Sequence, residues 1–241
     1  MKACKPLKQS LERADRILLP AACAFCRARL TDGETGACLP CLADLPQNDP
    51  ACRTCGAPLP VDPGVVPCAD CQAKPLPLAA VIAPLRYAFP VDIALQSIKY
   101  RRRLEYLPVF AEVLRAELGR LPPAIDGVVA VPLYWLRQGR RGFNQAAELA
   151  RPLARALGLK PLTWVERVRR TRAQAGLDRA ARRKNLRRAF AVRGQLDARH
   201  ILLVDDVMTT GSTLVELAKC LREAGAQEVS AIVVARAIAG R

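Results

Sequence analysis

Along the chain, short continuous apolar runs alternate with segments of helical period. Residues 79–88, AAVIAPLRYA, form a strand candidate, and from Val91 to Tyr100 the apolar positions Val91, Ala94, Leu95 and Ile98 recur at helical spacing. Tyr106 to Leu118 predicts a second helix, GVVAVPL at 127–133 a buried strand, and Asn144 to Leu157 a further helix. A short strand near Leu162 to Val165 precedes a charged stretch, Arg167 to Arg193. The pattern closes with the apolar run Ile201 to Val204, a helix from about Ser212 to Ala224 and a last strand, Val229 to Ala235. Strands apolar on both faces and alternating with helices predict an α/β fold: a parallel sheet with right-handed crossovers, flanked by helices.

Upstream of residue 79 the apolar period disappears. QAKPLPL, residues 72–78, holds two prolines and neither period, which marks a linker. Before it stand four C-x-x-C pairs: Cys23/Cys26, Cys38/Cys41, Cys52/Cys55 and Cys68/Cys71. Two residues between thiols let both sulfurs of a pair reach one ion from a single turn, and two such turns complete a closed, structural Cys4 zinc site. Pairing in sequence closes loops of similar size, with 11 residues between Cys26 and Cys38 and 12 between Cys55 and Cys68. Two tandem zinc ribbons with one or two structural Zn2+ ions are therefore expected; spacing alone also permits an interleaved pairing, unmetallated pairs or redox dithiols. Rich in Pro, Gly, Ala and Asp, the segment lacks the large apolar groups of a core, so metal binding would supply its folding energy. The expected organisation is an N-terminal segment 1–22, a double zinc-ribbon module 23–71, a linker 72–78 and an α/β domain 79–241.

Composition separates this from a secreted disulfide scaffold. Ten cysteines in 241 residues would suit one, but residues 72–241 hold only Cys220. Leu11 to Leu19 is broken by Glu12, Arg13, Asp15 and Arg16, which excludes an export signal, and no apolar run approaches the ~18 residues of a membrane span. A cytoplasmic protein with reduced cysteines and no membrane insertion is expected. Cys4 reads as a disordered thiol, Cys220 as a small apolar residue in a helix, and His200 as a capping or surface residue.

The densest chemistry lies in ILLVDDVMTTGST, residues 201–213. A buried strand ends in two adjacent carboxylates, Asp205 and Asp206, and opens into a hydroxyl-rich loop around one glycine. The following helix aims its positive end at that loop, so an anionic sugar phosphate fits there. Paired acids after a strand also serve as magnesium ligands in receiver domains and ATPases, and such loops also cap helices. A second basic element, VAVPLYWLRQGRRGFNQ at 129–145, ends a strand and exposes Arg137, Arg140 and Arg141 before a helix.

Residues 201–213 resemble the phosphoribosyl diphosphate (PRPP) motif of type I phosphoribosyltransferases. The resemblance implies that Thr209, Thr210, Gly211, Ser212 and Thr213 wrap the 5′-phosphate, and that Asp205 and Asp206 take the ribose hydroxyls and act as the catalytic acids. It also implies Mg2+ bridging hydroxyls and diphosphate, with Pro132, Leu133, Arg137, Arg140 and Arg141 on the diphosphate. Adding the cysteine module, SIKYRRR, RQGRRGFNQAAELA and RTRAQAGLDRAARRKNLRRAF makes the chain resemble the ComF family, whose named members act in DNA uptake during natural transformation. The most specific parts are Gly142-Phe143-Asn144-Gln145 and the set Gln174, Leu177, Arg182, Asn185 and Phe190, which corresponds to a segment closing over the ligand. One departure is Cys26-Arg27, where the second knuckle keeps Cys55-Gly56.

The formal charge of +16 adds a larger candidate ligand. Arg101, Arg102 and Arg103, together with Arg169, Arg170 and Arg172 in the charged stretch, have the density of a phosphate-backbone binder, expected to be single-stranded DNA. Tyr100, Tyr106, Trp135 and Phe143 beside basic residues are candidates either to stack bases or to fill the core. Three functions stay open: a PRPP-binding DNA-uptake factor; a catalytically active phosphoribosyltransferase of nucleotide metabolism with no DNA role, its acceptor unspecified; and a scaffold for a helicase-like competence partner.

Overall fold

The computed structural model describes residues 21–62, 64, 66–134, 139, 142–168, 188–194 and 196–237. The chain divides into two compact units, Met1–Leu45 and Pro46–Arg241. The first holds one pair of C-x-x-C turns and a short helix α1, Leu39–Ala43, begun by Cys38 and Pro40. In the second, Cys68 begins an equally short helix α2, Ala69–Ala73.

The larger unit is built on a parallel sheet. Its strands are β1 (Val81–Ile82), β2 (Leu85–Arg86), β3 (Gly127–Ala130), β6 (His200–Met208) and β7 (Glu228–Arg236), in the order β1-β7-β6-β3 with β2 also on β7. Pro84 explains why 79–88 yields two two-residue strands rather than one, since proline donates nothing to a ladder. β6 and β7 are nearly continuous apolar runs buried on both faces, as central parallel strands should be. Between the strands come α3 (Val91–Arg101), α4 (Tyr106–Ala116), α5 (Gln145–Ala156) and α6 (Ser212–Glu223). Ile201, Leu203, Val229, Ala231 and Val233 pack with Leu214, Leu217 and Leu221 of α6 in one core cluster.

Two expectations change. The short strand near 162–165 lies at Val165–Arg167 (β4) and pairs antiparallel with Phe190–Val192 (β5), in a two-stranded sheet apart from the parallel one. His200 is not at the surface: it is buried, its Nε2 2.9 Å from Ser230 Oγ and its Nδ1 3.3 Å from the Pro123 carbonyl. Polar partners on two neighbouring segments make an otherwise costly buried imidazole tolerable. Among the described residues no helix is long and apolar enough to cross a membrane.

Candidate functional site

The carboxylates stand near the C-terminal end of β6, which runs past them to buried Met208 rather than ending at them: Asp205 is half-buried, Asp206 buried and 5% exposed. Alternation along the strand separates them, and the sheet edge brings two other elements to Asp206. Lys99, near the end of α3, places Nζ 2.6 Å from Asp206 Oδ2. Gln145, the first residue of α5, donates from Nε2 to the same oxygen at 3.1 Å. Asn144 fixes this start of α5, because its side chain accepts from the Ala146 amide and donates to the Val131 carbonyl, each at 3.1 Å. The family-like string Phe143-Asn144-Gln145 thus has a local reason: one side chain caps the helix and grips the end of β3, the next grips Asp206.

The acids titrate apart. Burial raises the Asp205 carboxyl, and the neighbouring Asp206 charge adds to it, pushing it up to about 7. Asp206 meets the same burial, but the Lys99 ammonium and the hydrogen bonds from Lys99 and Gln145 outweigh it and hold the carboxyl below its ordinary value. Burial acts to lower Lys99, and the Asp206 charge overcomes it, holding the ammonium above its ordinary value.

Beyond Met208 the chain turns through Gly211, at φ 73°, directly into α6. The positive φ is what favours glycine here; a Cβ would also lie 2.5 Å from Met208 Cε, the end of a flexible side chain that would have to swing aside. The Thr210 and Ser212 hydroxyls are 2.8 Å apart, and Ser212 N–H donates to Thr210 Oγ1 at 3.4 Å. Two hydroxyls and the positive end of a 12-residue helix stand at this turn, an arrangement suited to an anion.

The cysteines form two clusters in sequence order, Cys23/Cys26/Cys38/Cys41 and Cys52/Cys55/Cys68/Cys71, each with all sulfurs within 4.8 Å of one another. Sulfurs about 2.3 Å from a tetrahedral zinc lie about 3.8 Å apart, and Cys26–Cys38 at 3.6 Å and Cys55–Cys68 at 3.7 Å match that edge. The clusters repeat bond for bond: Cys23 N donates to Ala28 O and Cys52 N to Ala57 O, both at 2.8 Å. Cys38 N donates to Cys23 Sγ and Cys68 N to Cys52 Sγ, both at 3.4 Å. Arg27 takes φ 67° where Gly56 takes 64°, so the arginine after Cys26 accepts a conformation glycine adopts freely and the knuckle geometry survives. Closed four-thiol clusters of this size hold zinc as a structural ion.

Of the proposed site residues, Asp205, Asp206 and Thr209–Thr213 come together at the end of β6. Pro132 and Leu133 follow β3, which pairs with β6 in register from Gly127↔Ile201 to Ala130↔Val204, so they leave the sheet at the same edge. Of Arg101–Arg103, Arg101 and Arg102 are exposed; Arg102 also lies beside Gly142, where a Cβ would be 3.1 Å from its Nη2, and Arg103 bonds Glu105 at 2.7 Å and stacks on Tyr106. Tyr100 is exposed, Phe143 half-buried and Tyr106 in the core. Arg137, Arg140, Arg141, Arg169, Arg170, Arg172, Gln174, Leu177, Arg182, Asn185, Trp135 and Cys4 lie outside the described residues. Lys99 was missed as a site residue because its spacing placed it only at a helix end; its position in SIKYRRR was the available signal.

A phosphoribosyl transferase domain model matches residues 140–241, and a double zinc ribbon domain model matches residues 14–72. The chain is 35% identical over 222 residues to the DNA utilization protein YhgH of Salmonella typhi, covering 88% of this chain and 96% of that protein. The Escherichia coli (strain K12) protein of the same name is 34% identical over 222 residues, with the same coverage. Competence protein F of Haemophilus influenzae is 35% identical over 228 residues, covering 89% of this chain and 96% of that one. With two cysteine clusters, a phosphoribosyltransferase-like sheet and relatives aligned over most of its length, the chain belongs to the ComF, or competence protein F, family.

Proposed function

We propose that the protein binds PRPP with Mg2+ at the end of β6 and acts in DNA uptake, with single-stranded DNA as its larger ligand. The observation that carries the first part is the turn at Gly211, which sets Asp205 and Asp206 beside a hydroxyl-lined helix N-terminus. On this reading the amides of 209–213 take the 5′-phosphate, the acids take the ribose hydroxyls, and the loop after β3 lies on the diphosphate side. Asp205 and Asp206 would hold Mg2+ through the bound ligand, where it would neutralise diphosphate charge, while Lys99 fixes Asp206 in its charged form.

Calorimetric titration with PRPP and Mg2+ tests it. Asp205→Asn is expected to weaken binding about tenfold or more; wild-type affinity in that variant would overturn the assignment. Since Asp205 takes its share of the ribose hydroxyls as a carboxylate and is pushed up to about 7, affinity should fall as pH drops through neutrality. Asp205→Asn should remove that part of the slope, leaving only titration of the phosphate itself, near ~6.

The relatives named for DNA utilization and competence, with the charge of +16, support the DNA part. Tyr100, 75% exposed, stands directly beside Arg101 and suits base stacking. In a salt series, replacing Arg169, Arg170 and Arg172 should weaken single-stranded DNA binding and flatten its slope by about 0.7 for each phosphate no longer neutralised. Tyr100→Ala should weaken it with the slope unchanged; if neither set moves affinity, the DNA reading is wrong.

A second reading, an active phosphoribosyltransferase, is favoured by the split titration of the acids, since a carboxyl pushed up to about 7 suits proton transfer near neutrality. Diphosphate release from PRPP in the presence of free bases or single-stranded DNA separates the two.

A further inference from the structure

We propose that Arg236 is a positioning residue that ties the second cysteine cluster to the phosphate loop, so that zinc in that cluster and a phosphate ester in the loop strengthen one another. The ester half of this rests on the PRPP reading; the mechanical half does not.

Arg236 ends β7, and its Cα partner on β6 is Met208, the last residue before the loop. Its Nη1, with two N–H groups, has three carbonyls within reach, Met208 at 3.0 Å, Thr209, and Ala237 at 2.6 Å, and shares its hydrogens among them. In the other direction its Nε donates to the carbonyl of Cys55 at 3.2 Å. One guanidinium therefore spans a cluster ligand and the first residue of the anion-binding turn, 181 and 27 positions away in sequence. Arginine suits this because its donors form a rigid planar fork that stays charged at any accessible pH. A second observation is the cleft of about 860 Å³ whose walls include Cys55, Cys71, Met208, Thr210, Ser212 and Arg236, so that cluster and loop border one space.

The cluster is also fixed to the sheet on which Arg236 stands. Val81 N–H donates to Arg53 O at 2.8 Å, inside the Cys52–Cys55 turn. Buried Asn48 donates from Nδ2 to the carbonyls of Gly56 and Ala83, each at 2.9 Å. Val81 and Ala83 leave no slack at Gly56, where a Cβ would meet them at 3.2 and 3.3 Å. With β1 paired to β7, a change in the Cys52–Cys55 turn has a rigid base to act against and one cation through which to reach Thr209. Linkage then requires reciprocity: whatever zinc does for phosphate affinity, bound phosphate does for zinc. The first cluster, in the other compact unit, serves as the internal control.

The test uses the full zinc-loaded chain with PRPP and Mg2+ as the probe. Zinc release to a colorimetric chelator is followed together with amide hydrogen exchange of residues 208–213. In the wild type, saturating PRPP should slow release from one cluster and leave the other unchanged, and chelation should speed exchange in the loop. Arg236→Met should weaken PRPP binding about tenfold, abolish the protection of zinc, and show loop exchange already fast before chelation. Arg236→Lys, which keeps the charge but not the fork, should recover part of each. Wild-type PRPP affinity and retained zinc protection in Arg236→Met would overturn the proposal, as would loop exchange in the wild type that ignores chelation. A wild type that binds no PRPP defeats the PRPP reading, and the exchange measurement still decides the coupling. Should Arg236→Met fail to fold, Arg236→Lys and the wild-type exchange arm decide it.

Discussion

Zinc removal is expected to unfold residues 21–45 outright and to lower the thermal transition of the larger unit by many degrees. Among the described residues, 21–45 bury Cys23, Ala24, Ala37, Cys38 and Leu45, two of them ligands and most of the rest alanine. Around the second cluster the buried residues are Cys52, Cys55 and Cys71, with Ala57, Leu59, Cys68 and Leu76 packed against them. Cores of this size fall well short of the ordering entropy of their segments, whereas a structural zinc contributes about 10–16 kcal/mol. The thiols alone cannot substitute. Burial opposes ionisation at Cys23 and Cys52, and backbone amides reverse it, bringing them down to about 6 and 7. Burial raises Cys41, Cys71 and, to about 11, Cys55, and the charge of a neighbouring thiolate, uncompensated without a cation, adds to it. Metal analysis should find two zinc ions per chain. Cys26→Ser should expose residues 21–45 to protease while leaving the larger unit's melting intact, and Cys55→Ser should lower that melting directly. Well under one zinc per chain, or a chelated protein that melts as the native one does, would refute the structural role.

The elements that position the site were largely legible from pattern. The run at 201–204 became part of β6 because a short continuous apolar run bounded by polar residues suits a strand buried on both faces, and 212–224 became α6 because its apolar positions hold one face. Cysteine pairing followed from loop length, and the structure selects the sequential arrangement over the interleaved one. Other features were hidden for physical reasons. The ion pair of Lys99 with Asp206 joins residues from two elements far apart in sequence, and no local period reports that kind of interaction. The pairing of β4 with β5 depends on strands separated by the charged stretch. Most instructive is Arg236: in the sequence it is the charged end of an apolar strand, indistinguishable from a solvated terminus, and only the register with Met208 gives it a task.

Lys99→Met is the substitution expected to cost the parallel sheet most. Lys99 and Asp206 side chains are 19% and 7% exposed, so the pair is formed largely out of water. Removing the cation leaves Asp206 buried with the Gln145 amide as its remaining side-chain donor, and breaking a buried pair from one side costs about 3–5 kcal/mol. The sign with pH follows from the direction of the shift. Asp206 is held below its ordinary value in the folded protein, so the pair's contribution is present above the unfolded carboxylate value of about 3.9 and is lost as pH falls through the lower folded one. In Lys99→Met burial is opposed only by the hydrogen bonds from Gln145 and the Val207 amide and raises Asp206, so the deficit against wild type should be greatest near neutrality. It should shrink toward acid, where the variant's carboxyl takes a proton. Lys99→Met/Asp206→Asn should recover much of the loss, since it removes the orphaned charge while keeping the shape. Denaturant unfolding at about pH 7.5 and about pH 5 measures all three proteins. A single variant as stable as wild type near neutrality, or a double variant no better than the single, would show that the pair does not hold α3 to the end of β6.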